Sequence, residues 1–99
     1  MESVKEKICL DALSAILDVH VDNACYSLHG PKESAVCLEA TKNGWEVYDK
    51  ERNARDDCKL YDNIVEACLE MISRLFKQTE VQSYKNHFLN SIIGMQHSA

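Results

Sequence analysis

The chain holds a single Pro and three Gly in 99 residues, which leaves little room for long irregular segments. No stretch approaches the ~20 consecutive apolar residues needed to cross a bilayer. The opening M-E-S-V-K-E-K-I-C-L has neither the basic flank nor the continuous apolar run of a secretory signal. Its five Cys are an odd number with no C-x-x-C, which argues against both a disulfide framework and a zinc ribbon. Several sit where a small core hydrophobe would, as Cys68 does in A-C-L, the usage expected in a reducing compartment. The expected protein is soluble and cytoplasmic.

Basic residues are the minority, eleven against sixteen acidic ones, for a net charge of -5. Neutralising a phosphate backbone requires a basic patch, so nucleic acid is disfavoured as a partner. A basic protein is favoured instead, because the acidic field steers it in. Catalytic patterns are also missing: there is no G-x-G-x-x-G, no P-loop and no G-x-S-x-G. His20, His29, His87 and His97 are scattered without zinc-ligand spacing. Cys25 and His29 fall in one strand-like segment, where four residues span about 13 Å, too far for a thiol–imidazole dyad. The expectation is a non-enzyme without metal or cofactor.

What is present, 45% hydrophobic and 27% charged residues, suits one globular domain over residues 1–99. Ser3 and Glu6 form a capping box, and helical spacing of Val4, Ile8, Leu13, Ile16 and Leu17 predicts a helix from Val4 to Val19. Strands are expected at Cys25–His29, Ala35–Thr41, after Gly44, and at Cys58–Tyr61. Asp62 or Asn63 caps a second helix, Ile64–Phe76, the most apolar element and the one expected to lie deepest. Thr79 and Gln82 suggest another capping box, opening a third helix that carries Val81, Phe88 and Ile92. Gly94 would end it, leaving 94–99 as a loose tail. The fold class is α+β: a small antiparallel sheet of three to four strands with three helices, in the order α-β-β-β-β-α-α.

Asn43-Gly44 is the preferred pair for a type I′ hairpin turn. A two-residue loop there pairs Ala40 with Val47 and Glu39 with Tyr48. Val36, Leu38, Ala40, Trp45 and Val47 then share the core face, and Glu39, Thr41, Glu46 and Tyr48 share an exposed one. The same parity brings Asp49 and Glu51 to the apolar side, so a bulge or frayed end is expected after Tyr48. Glu51–Asp57 reads as a solvated connection. Acidic groups with exposed Tyr suit an interface with a basic protein, so Glu39, Glu46, Tyr48, Asp49, Glu51, Asp56 and Asp57 are the candidate partner-binding residues.

Trp45-Glu46-Val47-Tyr48, Glu51-Arg52, Leu60-Tyr61-Asp62, Glu66-Ala67-Cys68 and Arg74-Leu75 resemble a pattern of small bacterial immunity proteins. That pattern runs W-E-V-Y-Y-S-E-R-G, a variable gap, F-D-T-E-E-E-A-C and a helix ending in R-L. The resemblance covers Gly44 to Leu75. Here Asp49-Lys50 replaces Tyr-Ser, Asn53 replaces Gly, and Asn63-Ile64-Val65 replaces acidic residues. Such proteins accompany polymorphic or contact-dependent toxins. The resemblance therefore implies a cytoplasmic inhibitor, a monomer or weak homodimer, that binds a cognate toxin effector domain and blocks its active or substrate surface. A basic nuclease is the toxin type its charge suits. The other reading is a non-catalytic regulatory or adaptor domain that oligomerises through its C-terminal helix.

Overall fold

A computed structural model describes residues 3–97. Helix α1, Val4–His20, is followed by a single 3₁₀ turn at Asn23–Cys25 and by strand β1, Tyr26–Ser27. Strands β2, Ala35–Thr41, β3, Gly44–Glu51, and β4, Ala54–Tyr61, come next. Helices α2, Ile64–Leu75, and α3, Val81–His97, complete the chain. The element order is the expected α-β-β-β-β-α-α. The sheet runs β1-β2-β3-β4 and is mixed, because β1 pairs parallel with β2 while the other two pairings are antiparallel.

Helix α1 starts where its capping box dictates. Ser3 Oγ accepts from the Glu6 amide at 3.1 Å, and Glu6 Oε1 accepts from the Ser3 amide at 2.9 Å. The other carboxylate oxygen of Glu6 accepts from Trp45 Nε1 at 3.1 Å, so one cap also ties the helix to the hairpin. These bonds hold the Glu6 carboxyl below its ordinary range, the Ser3 backbone donor contributing most. Helix α2 is capped by Asn63, whose side chain accepts from the Val65 amide at 2.8 Å.

Helix α2 lies directly on one face of the sheet, over β2 and β3, and α1 and α3 pack beside it. Leu13, Leu17, Leu38, Val47, Met71, Ile72 and Phe88 are fully buried at this junction. Each large apolar side chain there contributes about 1.5–3 kcal/mol by leaving water. Phe88 and Ile92 belong to this core rather than to a free face of α3. An oligomer built on those two residues therefore has no surface to use.

Four sequence expectations need correction. The β2–β3 loop consists of Lys42 and Asn43, with Thr41 facing Gly44, Leu38 facing Val47 and Cys37 facing Tyr48. Asn43 does not take the positive φ that a type I′ turn demands. Instead Thr41 Oγ1 accepts from the Asn43 amide at 3.1 Å and donates to the Gly44 carbonyl at 2.9 Å, which closes the turn one residue earlier. Pair sums fall by two, so each residue keeps its face although every pairing changes.

Second, Glu51–Asp57 is not a connection: β3 runs on to Glu51, and β4 already begins at Ala54 after a turn at Arg52, which takes φ 50°. The expected bulge exists, but the extra residue is in β4. Pairing steps from Val47–Lys59 to Asp49–Asp56, and Asp57 stands at φ 51° opposite the step. Third, the outer sheet face is partly covered. The parallel crossover from β1 to β2 passes over it, and Ala35, Cys37 and Tyr48 form a small second core there. Fourth, α3 runs through Gly94 to His97, so 94–97 is helical; Ser98 and Ala99 lie outside the described residues. The helix also opens at Val81, after a turn that closes on the Lys77 carbonyl, rather than at a Thr79 cap.

Two glycines should respond in opposite ways to alanine. Gly44 has φ +136°, and a Cβ there would stand 2.4 Å from the Tyr61 carbonyl oxygen. Gly44→Ala should destabilise by about 2–4 kcal/mol, through backbone strain plus displacement of β4. Gly94 is in a helix with nothing within 4 Å of an added Cβ. Gly94→Ala should stabilise by up to about 1 kcal/mol. Urea midpoints followed by the fluorescence of Trp45 check both signs.

Candidate functional site

The sheet divides the seven candidate residues between its two faces. On the outer face, Glu39 from β2 and Glu46 and Tyr48 from β3 gather around Arg55 of β4. Arg55 Nη2 lies 3.3 Å from Glu39 Oε1, and Nη1 lies 3.0 Å from Glu46 Oε1. Its guanidinium covers the Tyr48 ring with Cζ 4.4 Å from the centroid, a cation–π arrangement. Tyr48 has no exposed surface, and its hydroxyl donates to Glu39 Oε1 at 2.7 Å. Burial, then the bond to Glu39, pushes its phenol well above the ordinary value. Tyr48 is thus a covered core residue and cannot serve as the exposed anchor expected. Glu39 and Glu46 are largely neutralised by one cation.

The crossover loop is strapped onto the same face. Lys50 Nζ pairs with Glu33 at 3.2 Å and also donates to the Arg52 carbonyl. Cys37 Sγ lies 3.6 Å from the Lys32 carbonyl oxygen, and burial raises its thiol pKa. Lys32 in turn donates to the Asn23 carbonyl.

On the helix face, Asp49 and Asp57 meet Arg74, near the C-terminus of α2. The Arg74 side chain is only 9% exposed. Its Nη1 lies 3.2 Å from Asp49 Oδ1, Nε lies 2.8 Å from Glu70 Oε2, and Nη2 lies 3.6 Å from Asp57 Oδ2. Nη2 also donates to the Asp57 backbone carbonyl at 2.5 Å, at the bulge itself. Burial works hardest against ionised Glu70, but bonds from Arg74 and from the Tyr61 hydroxyl, with Lys59 nearby, outweigh it and lower its pKa. Glu70 and Arg74 form an ordinary i,i+4 pair in sequence, and neither is among the expected partner-binding residues. Only the fold reveals that the bulge supplies two further oxygens, from Asp57, and β3 a third, from Asp49.

Beyond this cluster a groove of about 510 Å³ opens at the end of the sheet, lined among others by Cys25, Val36, Asp49, Glu51, Asp56 and Arg74. Asp49 is half-buried on its wall. Glu51 and Asp56 are exposed, and their carboxylates have no cation or hydrogen-bond donor among the described residues. The seven candidates thus become two satisfied clusters and one pair of free carboxylates. The Cys25 thiol is exposed, and no hydrogen bond joins it to His29 among the described residues. Among the described residues no group of His, Cys, Asp and Glu could hold a metal ion, and no helix is long and apolar enough to cross a membrane.

Comparison with protein-family models, with curated proteins and with solved structures gave no match.

Arg74→Ala should destabilise by about 2–3 kcal/mol, below the full cost of breaking a buried pair because Asp49 and Asp57 remain partly hydrated. Arg74→Lys should recover only part of this, since an ammonium cannot span Asp49, Glu70 and the bulge together. Glu70 also fixes a sign. A lowered carboxyl pKa adds stability above the ordinary value of 4.5, lost as pH falls through the folded value. Glu70→Gln should therefore flatten the acid limb of a stability–pH curve below pH 4.5. Chemical denaturation from pH 6 downward, run on wild type and variant together, makes the comparison.

Proposed function

We infer that this chain is a cytoplasmic immunity protein that binds a cognate toxin effector domain of basic charge and blocks its active or substrate-binding surface. The observation that carries the reading is the free pair Glu51 and Asp56, two unneutralised carboxylates on the rim of an open groove, in a chain of net charge -5. Every other candidate carboxylate in the hairpin is engaged by Arg55 or Arg74, so these two retain charge to offer a cation. Asp49, on the groove wall, adds a third, partly shared one. The resemblance of Gly44–Leu75 to immunity proteins supports the same conclusion from the sequence side.

Binding of this kind needs no chemistry from the inhibitor. A Lys or Arg of the toxin would enter between Glu51 and Asp56, and the rigid hairpin would cover the toxin surface around it. Exposed rim charges act mainly on encounter rate, while buried anchors control dissociation. The expected partner surface is one whose basic groups otherwise hold a polyanionic substrate such as nucleic acid.

The experiment pairs the chain with the effector domain encoded next to its gene. The double variant Glu51→Lys, Asp56→Lys should associate at least about tenfold more slowly at low salt and lose most of its salt dependence. Cells expressing it should lose protection against the toxin. Glu80→Lys, ahead of α3 and outside the lining of the groove, serves as the charge control and should leave both unchanged. Equal association rates for both variants would remove the groove from the interface.

A further inference from the structure

The two edges of the sheet are not alike. On one side β1 is only two residues long and runs into the crossover loop. On the other, β4 has eight residues, and every one from Ala54 to Leu60 is exposed. Helix α2 sits over β2 and β3 and reaches β4 through Arg74 and Glu70, but no strand pairs with the outer edge of β4. An open edge presents unpaired backbone donors and acceptors, and natural sheets usually blunt it. Here the blunting is confined to one end. The bulge over Asp57 and Cys58, with the Asp57 carbonyl taken by Arg74, spoils the edge before Lys59. From Lys59 to Tyr61 the pairing is regular, and Leu60, at its centre, stands 52% exposed on the outer face.

We propose that this segment pairs antiparallel with the same segment of a second copy about a two-fold axis at Leu60, joining two sheets into one. The occupant follows from the charges and the register. Facing residues in an antiparallel pair point to the same side, so a centre on a residue keeps helices with helices. A centre at Lys59 would set two ammonium groups opposite each other, which repels. A centre at Cys58 would draw the bulged Asp57 into the pairing, and one at Tyr61 would run into the Asn63 cap of α2.

A centre at Leu60 stays within regular strand. The two Leu60 side chains then face each other on the outer side, covering apolar surface the monomer leaves in water. On the helix side Lys59 of each copy lies opposite Tyr61 of the other, whose hydroxyl donates to Glu70 at 3.2 Å. Within one copy Lys59 reaches Glu70 only at 3.8 Å, and Glu66 beside it has no partner among the described residues. The pairing therefore brings each ammonium to a second acidic helix face. The contact is isologous, closes at two copies, and leaves the Glu51–Asp56 groove open.

So short an interface makes a weak dimer, and the test must trap it. In a Cys25→Ser, Cys58→Ser background, Leu60→Cys should cross-link to itself with a short bis-maleimide at least fivefold more than Lys42→Cys, an exposed turn position. Sedimentation of the wild-type chain should show its mass rising toward twice the monomer value at millimolar concentration. Leu60→Lys should abolish that rise while keeping the circular dichroism of the folded chain. A wild-type monomer at every concentration, equal cross-linking at positions 42 and 60, or a dimer that survives Leu60→Lys would each overturn the proposal.

Discussion

A guanidinium that has left water must be given its hydrogen bonds by the protein, and Arg74 shows what that requirement organises. To satisfy it, α2 must end beside the bulge of β4, β3 must extend far enough to bring Asp49 within 3.2 Å, and Glu70 must lie one turn earlier on the same helix. None of these features is stable on its own account. A half-buried Asp49, a positive φ at Asp57 and a desolvated Glu70 are each unfavourable, and the shared cation offsets all three. The interaction is specific as well as stabilising, because only this register of β4 against β3 presents the Asp57 carbonyl to α2.

Arg55 plays the corresponding part on the opposite side of the sheet. It closes over Tyr48 and gathers Glu39 and Glu46, making a small polar-capped core where a solvent-facing sheet surface would otherwise be. Two arginines thus absorb most of the acidity of the hairpin. This redistributes the functional argument. A count of carboxylates along Glu39–Asp57 suggests a broad acidic face, whereas in the folded chain only Glu51 and Asp56 of that stretch keep their negative charge free.

Element types and their order were legible because they rest on local signals: the Ser3–Glu6 box, the Asn63 cap, and periods of 3.6 and 2. The sorting of Leu38, Trp45 and Val47 to the core also followed from alternation alone, and it survived a register error because the true turn shifts pairings by an even number. Which residues made the turn was harder. Asn-Gly is the stronger statistical signal, but the Thr41 hydroxyl and the close approach of Tyr61 to Gly44 decide between two turns of equal length. Only the second half of strand β4, Cys58–Tyr61, is legible in the sequence; the first half, A-R-D-D, is hidden because it carries charges with no apolar alternation. Tyr48 was misplaced for a related reason: its cover comes from Arg55 and the crossover, contacts distant in sequence. Asp49 and Asp57 were recognised as acidic, but their partner lies a helix away.

The first helix of the chain carries a delay with it. Its apolar face, Cys9, Leu13, Ile16 and Leu17, is covered by α2 and α3, elements that begin sixty or more positions later. During synthesis α1 is complete long before its cover exists, while β2, β3, β4 and α2 can close on one another from neighbouring sequence. Its capping box favours the helix in the interval, but its hydrophobic stripe stays open to other surfaces until α3 leaves the ribosome. An element made early is thus among the last to be protected, and α1 stays exposed to wrong association until α2 and α3 follow it.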